Sequence, residues 1–347
     1  MKKAFIRALA VLFSVVLTLA AVDLLLNLAD PSRFTPKSEF PFQKPALYRF
    51  SKVKEFGYEH RPEAQVEVNG ILYRINRFGF RDIEHRFLKT DRRVAIVGDS
   101  VTFGWDLPLE DTYPYQTREK LRSEGRKVEI MAMGITGYNL MQEYHLIKER
   151  TLRFAPDLIV LQICLNDFEP ALRIRPDPNR HFMLTQYSEI FIPYVFKKTR
   201  LSRWLMARSY LFKLLNLKLA PMIEKRNRGN APRGFFSPGT ETAFDYLQRM
   251  KALLAGTSCR FAAVLFPFRR EDMRQPYLGF YQAIRKELGD LSVPTLDLSA
   301  TLNPSMATPE TLWIDYIHPT RAGSQRVAEK LADFLFSILE AKTGGRE

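Results

Sequence analysis

Beyond residue 92 the chain alternates short apolar runs with longer stretches in which apolar positions recur every three or four residues. The runs Val94 to Val97, Val128 to Ala132, Leu158 to Ile163, Phe261 to Phe266 and Val293 to Leu298 have the length of buried strands. Helical periodicity falls near residues 114–124, 139–154, 239–256 and 274–288, and from Arg321 to about Leu339. This alternation predicts a parallel sheet with helices on both faces, because a helical crossover is what returns the chain to begin the next parallel strand. Groups placed just after such strands gather at one edge of the sheet, where ligands bind.

Ahead of that rhythm the pattern is different. Residues 30–90 contain Pro31, Pro36, Pro41 and Pro45 and no long period, which predicts an irregular extension. Its aromatics, and the stretch from Tyr73 to Arg81, are too hydrophobic for a free linker and predict that it packs on the body. Asn69-Gly70 suits a type I′ turn, so a hairpin is expected around Val66 to Ile75. Lys2, Lys3 and Arg7 precede an apolar run from Ala8 to Val22 that resumes at Leu24, Leu25 and Leu26. Roughly 20 apolar residues suffice to span a bilayer, so residues 1–29 are expected to form a signal anchor, with cleavage after Ala20 as the alternative. Basic residues before the span place the body outside the cytoplasm, in the periplasm or at the cell surface.

Charge adds one feature. The 347 residues carry a formal net charge of +14, and residues 170–235 hold fourteen Lys or Arg against three acids. Leucines and aromatics among these cations predict a basic helical insertion after the third strand. It reads either as a helical subdomain on the core or as a lid or membrane-facing element. Residues 197–219, with Lys197, Lys198, Arg200, Arg203, Arg208, Lys213 and Lys218 and no acid, are the part expected to meet anionic lipid. The export pattern and the lack of a recognition motif argue against nucleic acid as a partner. Cys164 and Cys259 are the only cysteines, too few for a disulfide framework or a four-thiolate metal site, and they fall at opposite ends of their strands. Both are expected to be free and mostly buried.

Four short motifs carry chemistry. Gly98-Asp99-Ser100 ends the first strand, Gly134-Ile135-Thr136-Gly137 follows the second, Cys164-Leu165-Asn166-Asp167 follows the third, and Asp315-Tyr316-Ile317-His318 precedes the last helix. A serine hydroxyl needs a base to take its proton, and histidine titrates in the range that allows this. Of the five histidines, His318 alone has a carboxyl group three residues away on a loop at the active edge, while His60, His85, His145 and His181 lie elsewhere. The Gly-x-Ser-x-Gly elbow of α/β-hydrolases is absent.

In order and context the four motifs resemble the blocks of the SGNH (GDSL-type) hydrolases, over about residues 91–340 apart from the insertion at 170–235. The stretch Asn76-x-x-Gly79-Phe80-Arg81 is similar to one found ahead of the core in exported members. The resemblance implies a three-layer αβα sandwich with a five-stranded parallel sheet, the flavodoxin-like SGNH fold. It implies Ser100 as nucleophile with Asp315 and His318 completing a triad, and Ser100, Gly137 and Asn166 as oxyanion donors, with no cofactor and no metal. Cys164 departs from the glycine usual in the third block. The expected reaction is hydrolysis of carboxylic esters of a lipid or envelope glycan through an acyl-enzyme. The alternatives are O-acyl transfer to an envelope glycan and a non-catalytic lipid- or glycan-binding role.

Overall fold

The computed structural model describes residues 47–168, 240–273, 277–304 and 311–341, with residues 14, 17–19, 21–23 and 25 and the backbone of 174–176 and 182–184. Most of the basic insertion and most of the expected anchor therefore lie outside the described residues. Among the described residues no helix is long and apolar enough to cross a membrane. The chain divides into two compact units, one of Lys44–Met183 with Arg233–Glu347 and one of Met1–Gln43 with Leu184–Pro232. All four chemical motifs belong to the first unit.

The centre of that unit is a five-stranded parallel sheet. The strands are β5 (Arg92–Gly98), β6 (Val128–Gly134), β7 (Leu158–Ile163), β10 (Arg260–Leu265) and β11 (Thr295–Asp297), in the order β11-β10-β7-β5-β6. Every residue of β7, and all of β5 after Arg92, is buried, as strands covered on both faces require, with Arg93 and Gln162 the polar side chains in otherwise apolar runs. Helices α2 (Tyr113–Ser123), α3 (Leu140–Glu149), α4 (Thr240–Ala255), α5 (Tyr277–Asp290) and α7 (Arg321–Glu340) supply the cover. Right-handed crossovers put α2 on one face, and α3 and α4 on the other because the order reverses after β6. The packing agrees, with α7 against α2 and α4 against α3. The short helices α1 (Ser100–Phe103) and α6 (Ser299–Leu302) follow β5 and β11. The reversal between β5 and its neighbours β6 and β7 opens a crevice beyond their carboxyl ends.

The strands and helices differ from the sequence expectation mainly at their ends. The last strand is shorter than Val293 to Leu298, since Pro294 has no N–H for the ladder. The pattern over 139–154 resolves into α3 followed, after Arg150, by a 3-10 turn at Thr151–Phe154.

Residues 47–90 pack as two small antiparallel ribbons, β1 (Tyr48–Phe50) with β2 (Tyr58–His60) and β3 (Gln65–Val68) with β4 (Ile71–Arg74); a third pair, β8 (Ile174–Pro176) and β9 (Phe182–Leu184), lies further along the chain. The β3–β4 hairpin turns at Asn69-Gly70, both with positive φ as a type I′ turn demands. Together with Arg118 of α2, the segment also closes the outer edge of the sheet. On the outer side of β6, Asp82 Oδ2 accepts from Ala132 N at 2.7 Å and Arg118 Nη2 donates to Ile130 O at 2.7 Å. These side chains occupy the backbone groups that a sixth strand would otherwise pair.

Candidate active site

Ser100 sits at the first residue after the turn that ends β5. Two glycines make that turn possible. A Cβ on Gly98 would collide with the Gln162 amide oxygen, and one on Gly134, its register partner on β6, would collide with the Phe103 backbone nitrogen. The strand ends and α1 therefore approach as closely as backbone allows. Asp99 caps α1, accepting from Val101 N at 2.9 Å, and Gln162 Oε1 accepts from Asp99 N and from the Thr102 hydroxyl at 3.2 and 2.9 Å. At the other end of α1, Arg81 donates to Gly104 O at 2.6 Å and Leu107 O at 2.6 Å. Its guanidinium lies over the Tyr73 ring. The Asn76-x-x-Gly-Phe-Arg stretch aims this arginine: Asn76 Oδ1 accepts from Phe78 N and Phe80 N, both at 3.0 Å, and Gly79 takes a φ of 88°.

His318 reaches Ser100 from the loop before α7. Its Nε2 lies 2.9 Å from Ser100 Oγ and its Nδ1 lies 2.7 Å from Asp315 Oδ2. Asp315 Oδ1 in turn accepts from Ile317 N and His318 N, each at 2.8 Å, so the loop folds around the carboxyl group. Burial opposes ionisation of Asp315, yet its bonds to His318 and to these backbone amides outweigh it and hold the group below the usual carboxylate range. An ionised Asp315 keeps a proton on Nδ1 and leaves Nε2 free to accept from the serine.

The other two predicted residues flank Ser100 from the neighbouring strands. Gly137 lies three residues beyond β6, where Ile135 N prolongs the ladder by donating to Gly98 O at 3.0 Å. Its φ of 74° is one that glycine adopts without strain. Among the described residues its N–H meets no acceptor. Asn166 lies three residues beyond β7 and donates from Nδ2 to Asp99 Oδ2 at 2.8 Å. That bond uses one amide hydrogen and leaves the second for another acceptor. Ser100 and His318 are buried, whereas Gly137 and Asn166 are half-buried at the open side.

Beneath Asn166 lies a buried group that the sequence reading did not anticipate. Cys164 Sγ stands 2.8 Å from Asn166 Oδ1, and Asp167 Oδ2 accepts from Cys164 N at 2.7 Å. Burial, reinforced by neighbouring acids, raises the Cys164 thiol and the Asp167 and Glu143 carboxyl groups well above their ordinary values. Asp99, Cys164 and Asp167 come close enough to offer three ligand atoms. Their hydrogen bonds serve the α1 cap, Asn166 and the 164–167 turn. Both cysteines are free and buried, at opposite ends of the adjacent strands β7 and β10.

Gln162, a lone polar residue inside an apolar strand run, was the one visible signal for this supporting layer. Arg81, the partner that residues 47–90 supply to α1, lies in the Asn76 to Arg81 stretch, but no spacing there pointed to its contacts.

A profile of the GDSL-like lipase/acylhydrolase family matches residues 96–326. No curated protein matches the chain. Among solved structures, a G-D-S-L lipolytic protein from Veillonella parvula is similar at 13% identity, TM-score 0.43, over 70% of this chain and 97% of that one. An acetyl xylan esterase is similar at 17% identity, TM-score 0.42, over 70% and 98%. The esterase EstA from Pseudoalteromonas is similar at 10% identity, TM-score 0.41, over 72% and 99%.

Proposed function

We propose a serine acyl-enzyme mechanism for this chain, which belongs to the GDSL-like lipase/acylhydrolase family. The observation that carries it is the unbroken sequence Ser100 Oγ, His318, Asp315 at 2.9 and 2.7 Å. His318 Nε2 takes the Ser100 proton as Oγ bonds to the ester carbonyl carbon. The carbonyl oxygen becomes an oxyanion that accepts from the amides of Ser100 and Gly137 and from Asn166 Nδ2. Collapse breaks the bond to the alcohol, which leaves with the proton from His318. Water then gives His318 a proton and attacks the acyl-serine, and the acid leaves as His318 returns that proton to Ser100 Oγ. Loss of one oxyanion donor costs about 10²–10³ in rate, so Asn166 acts mainly on turnover.

The substrates we propose are acyl esters of lipid or envelope glycan. Transfer to a glycan hydroxyl would use the same acyl-enzyme with a different acceptor. The support for a location outside the cytoplasm is the apolar run behind Lys2 and Lys3, and the support for contact with anionic lipid is the uninterrupted positive charge of residues 197–219. Fluorophosphonate labelling combined with acetyl, butyryl, octanoyl and lysophospholipid esters tests the chemistry. Ser100→Ala should lose both labelling and turnover. More than a few per cent residual turnover would remove Ser100 as nucleophile.

A further inference from the structure

We infer that Tyr58 is a positioning residue for acyl transfer: by holding the Thr136 carbonyl it fixes the plane of the peptide whose N–H, that of Gly137, meets the oxyanion. The inference rests on Gly137 being an oxyanion donor. A trans peptide is planar, and its C=O and N–H project to opposite sides, so anchoring one aims the other. Tyr58 Oη donates to Thr136 O at 2.5 Å, with both residues fully buried. A hydrogen-bonded carbonyl also polarises its own amide, which makes the N–H a better donor.

Tyr58 is itself held on both sides. Tyr138 Oη donates to the Tyr58 carbonyl at 2.5 Å, and the two rings meet edge to face with centroids 5.3 Å apart. Gln142, in the capping box that starts α3, donates to Phe56 O at 2.7 Å. The ribbon β1–β2 is thereby tied to the loop and helix on either side of Gly137.

Tyr48 provides an internal contrast, because it contacts the same residue through a different atom. Its Oη lies 2.6 Å from Thr136 Oγ1. His60 Nδ1 faces Gly79 O at 3.3 Å and so carries a hydrogen, while burial lowers the His60 pKa to about 3 and keeps the ring neutral. His60 Nε2 is then an acceptor facing Thr136 Oγ1 at 3.5 Å, and Tyr48 is the donor to the threonine hydroxyl. Tyr48 fixes a side chain; Tyr58 fixes the peptide.

The test compares Tyr58→Phe with Tyr48→Phe in the full-length chain, on an oxo ester and on its thionoester. Sulfur accepts hydrogen bonds poorly, so the oxo-to-thiono rate ratio reports the oxyanion site and is independent of the fraction of protein folded. Tyr58→Phe should lower kcat on the oxo ester about tenfold, with KM within about twofold, and lower the ratio in proportion. Tyr48→Phe should lower thermal stability comparably and leave the ratio near wild type. An unchanged ratio in Tyr58→Phe, or an equal fall in Tyr48→Phe, overturns the inference while leaving the acyl-enzyme intact. Turnover in Ser100→Ala overturns both.

Discussion

Two polar clusters lie buried near the sheet, and their acids behave in opposite ways. At the outer edge of β6, Asp82 and Glu129 share His85 at 2.8 and 2.7 Å, and meet Arg118 and Arg93 at 2.5 and 2.7 Å. Burial opposes ionisation of Asp82, but these cations overcome it and lower the pKa; the same holds for Glu129. Burial also disfavours a charged His85, yet its two carboxylate partners raise its pKa. Beneath Asn166, by contrast, Glu143 and Asp167 gather with Asp99 and, among the described residues, no cation, and burial followed by mutual repulsion drives the pKa values of Glu143 and Asp167 up. The difference is one of partners, not of depth. Fixed ion pairs suit a sheet edge that must stay closed. Below the proposed oxyanion site, ionised Glu143 and Asp167 would repel the charge that forms in the transition state, and protonated acids avoid that penalty.

The comparison breaks most visibly through Arg93. Its side chain is buried, with Nε on Glu129 at 2.7 Å and the other nitrogens on the carbonyls of Arg86, Phe87 and Phe154. Arg93→Met leaves all of them without this donor, which should reduce stability by about 3–5 kcal/mol. Urea unfolding would show a lower midpoint at unchanged slope. A loss under about 1 kcal/mol would mean that the edge cluster contributes little to folding.

Removal of an acid from the other cluster should act in the opposite direction. Both carboxyl oxygens of Glu143 lack a partner among the described residues, so Glu143→Gln sacrifices no hydrogen bond there. In the folded chain this acid keeps its proton above the ordinary value of 4.5, whereas in the unfolded chain it ionises there. Its stabilising contribution is thus complete below pH 4.5 and lost as pH rises toward the raised folded value, by about 1.4 kcal/mol per pH unit. The stability of Glu143→Gln relative to wild type should therefore grow from pH 5 to pH 8 in urea titrations. A difference independent of pH would show that Glu143 is not held protonated.

The sequence revealed one half of this arrangement far better than the other. Strands such as Leu158–Ile163 announced themselves because burial on both faces leaves a nearly continuous apolar run, broken there only by Gln162. Ser100, Gly137 and Asn166 were legible for a related reason: each follows a strand closely, so topology alone carries it to one edge. Asp315 and His318 were legible as a local pair, three residues apart on one loop. Apart from Gln162 and the Asn76 to Arg81 stretch, the supports had no such marker. Tyr58 meets Thr136 across 78 residues, and Arg81 meets Gly104 across 23, through irregular backbone that no period describes. Asp82 and Arg118 close the β6 edge from two separate elements, and nothing in either neighbourhood names the other.

The smallest expected effect concerns the residue that departs from the family pattern. Cys164 keeps its thiol proton, since burial and the surrounding acids push its pKa up, and at 2.8 Å its Sγ is placed to donate to Asn166 Oδ1. With Oδ1 engaged and one Nδ2 hydrogen on Asp99 at 2.8 Å, the amide has a single orientation and its remaining hydrogen a fixed direction. Cys164→Gly removes the first of these contacts, leaves the second, and should lower kcat about threefold without changing KM, because a thiol is a weak donor and Asp99 still holds the amide. Cys164→Ser restores a donor at the same place and should recover most of the loss. Steady-state kinetics on a single acyl ester separates these outcomes. If glycine and serine variants were equally impaired, the cavity left by the sulfur would be responsible rather than its proton, and the neutral cluster would support Asn166 by packing alone.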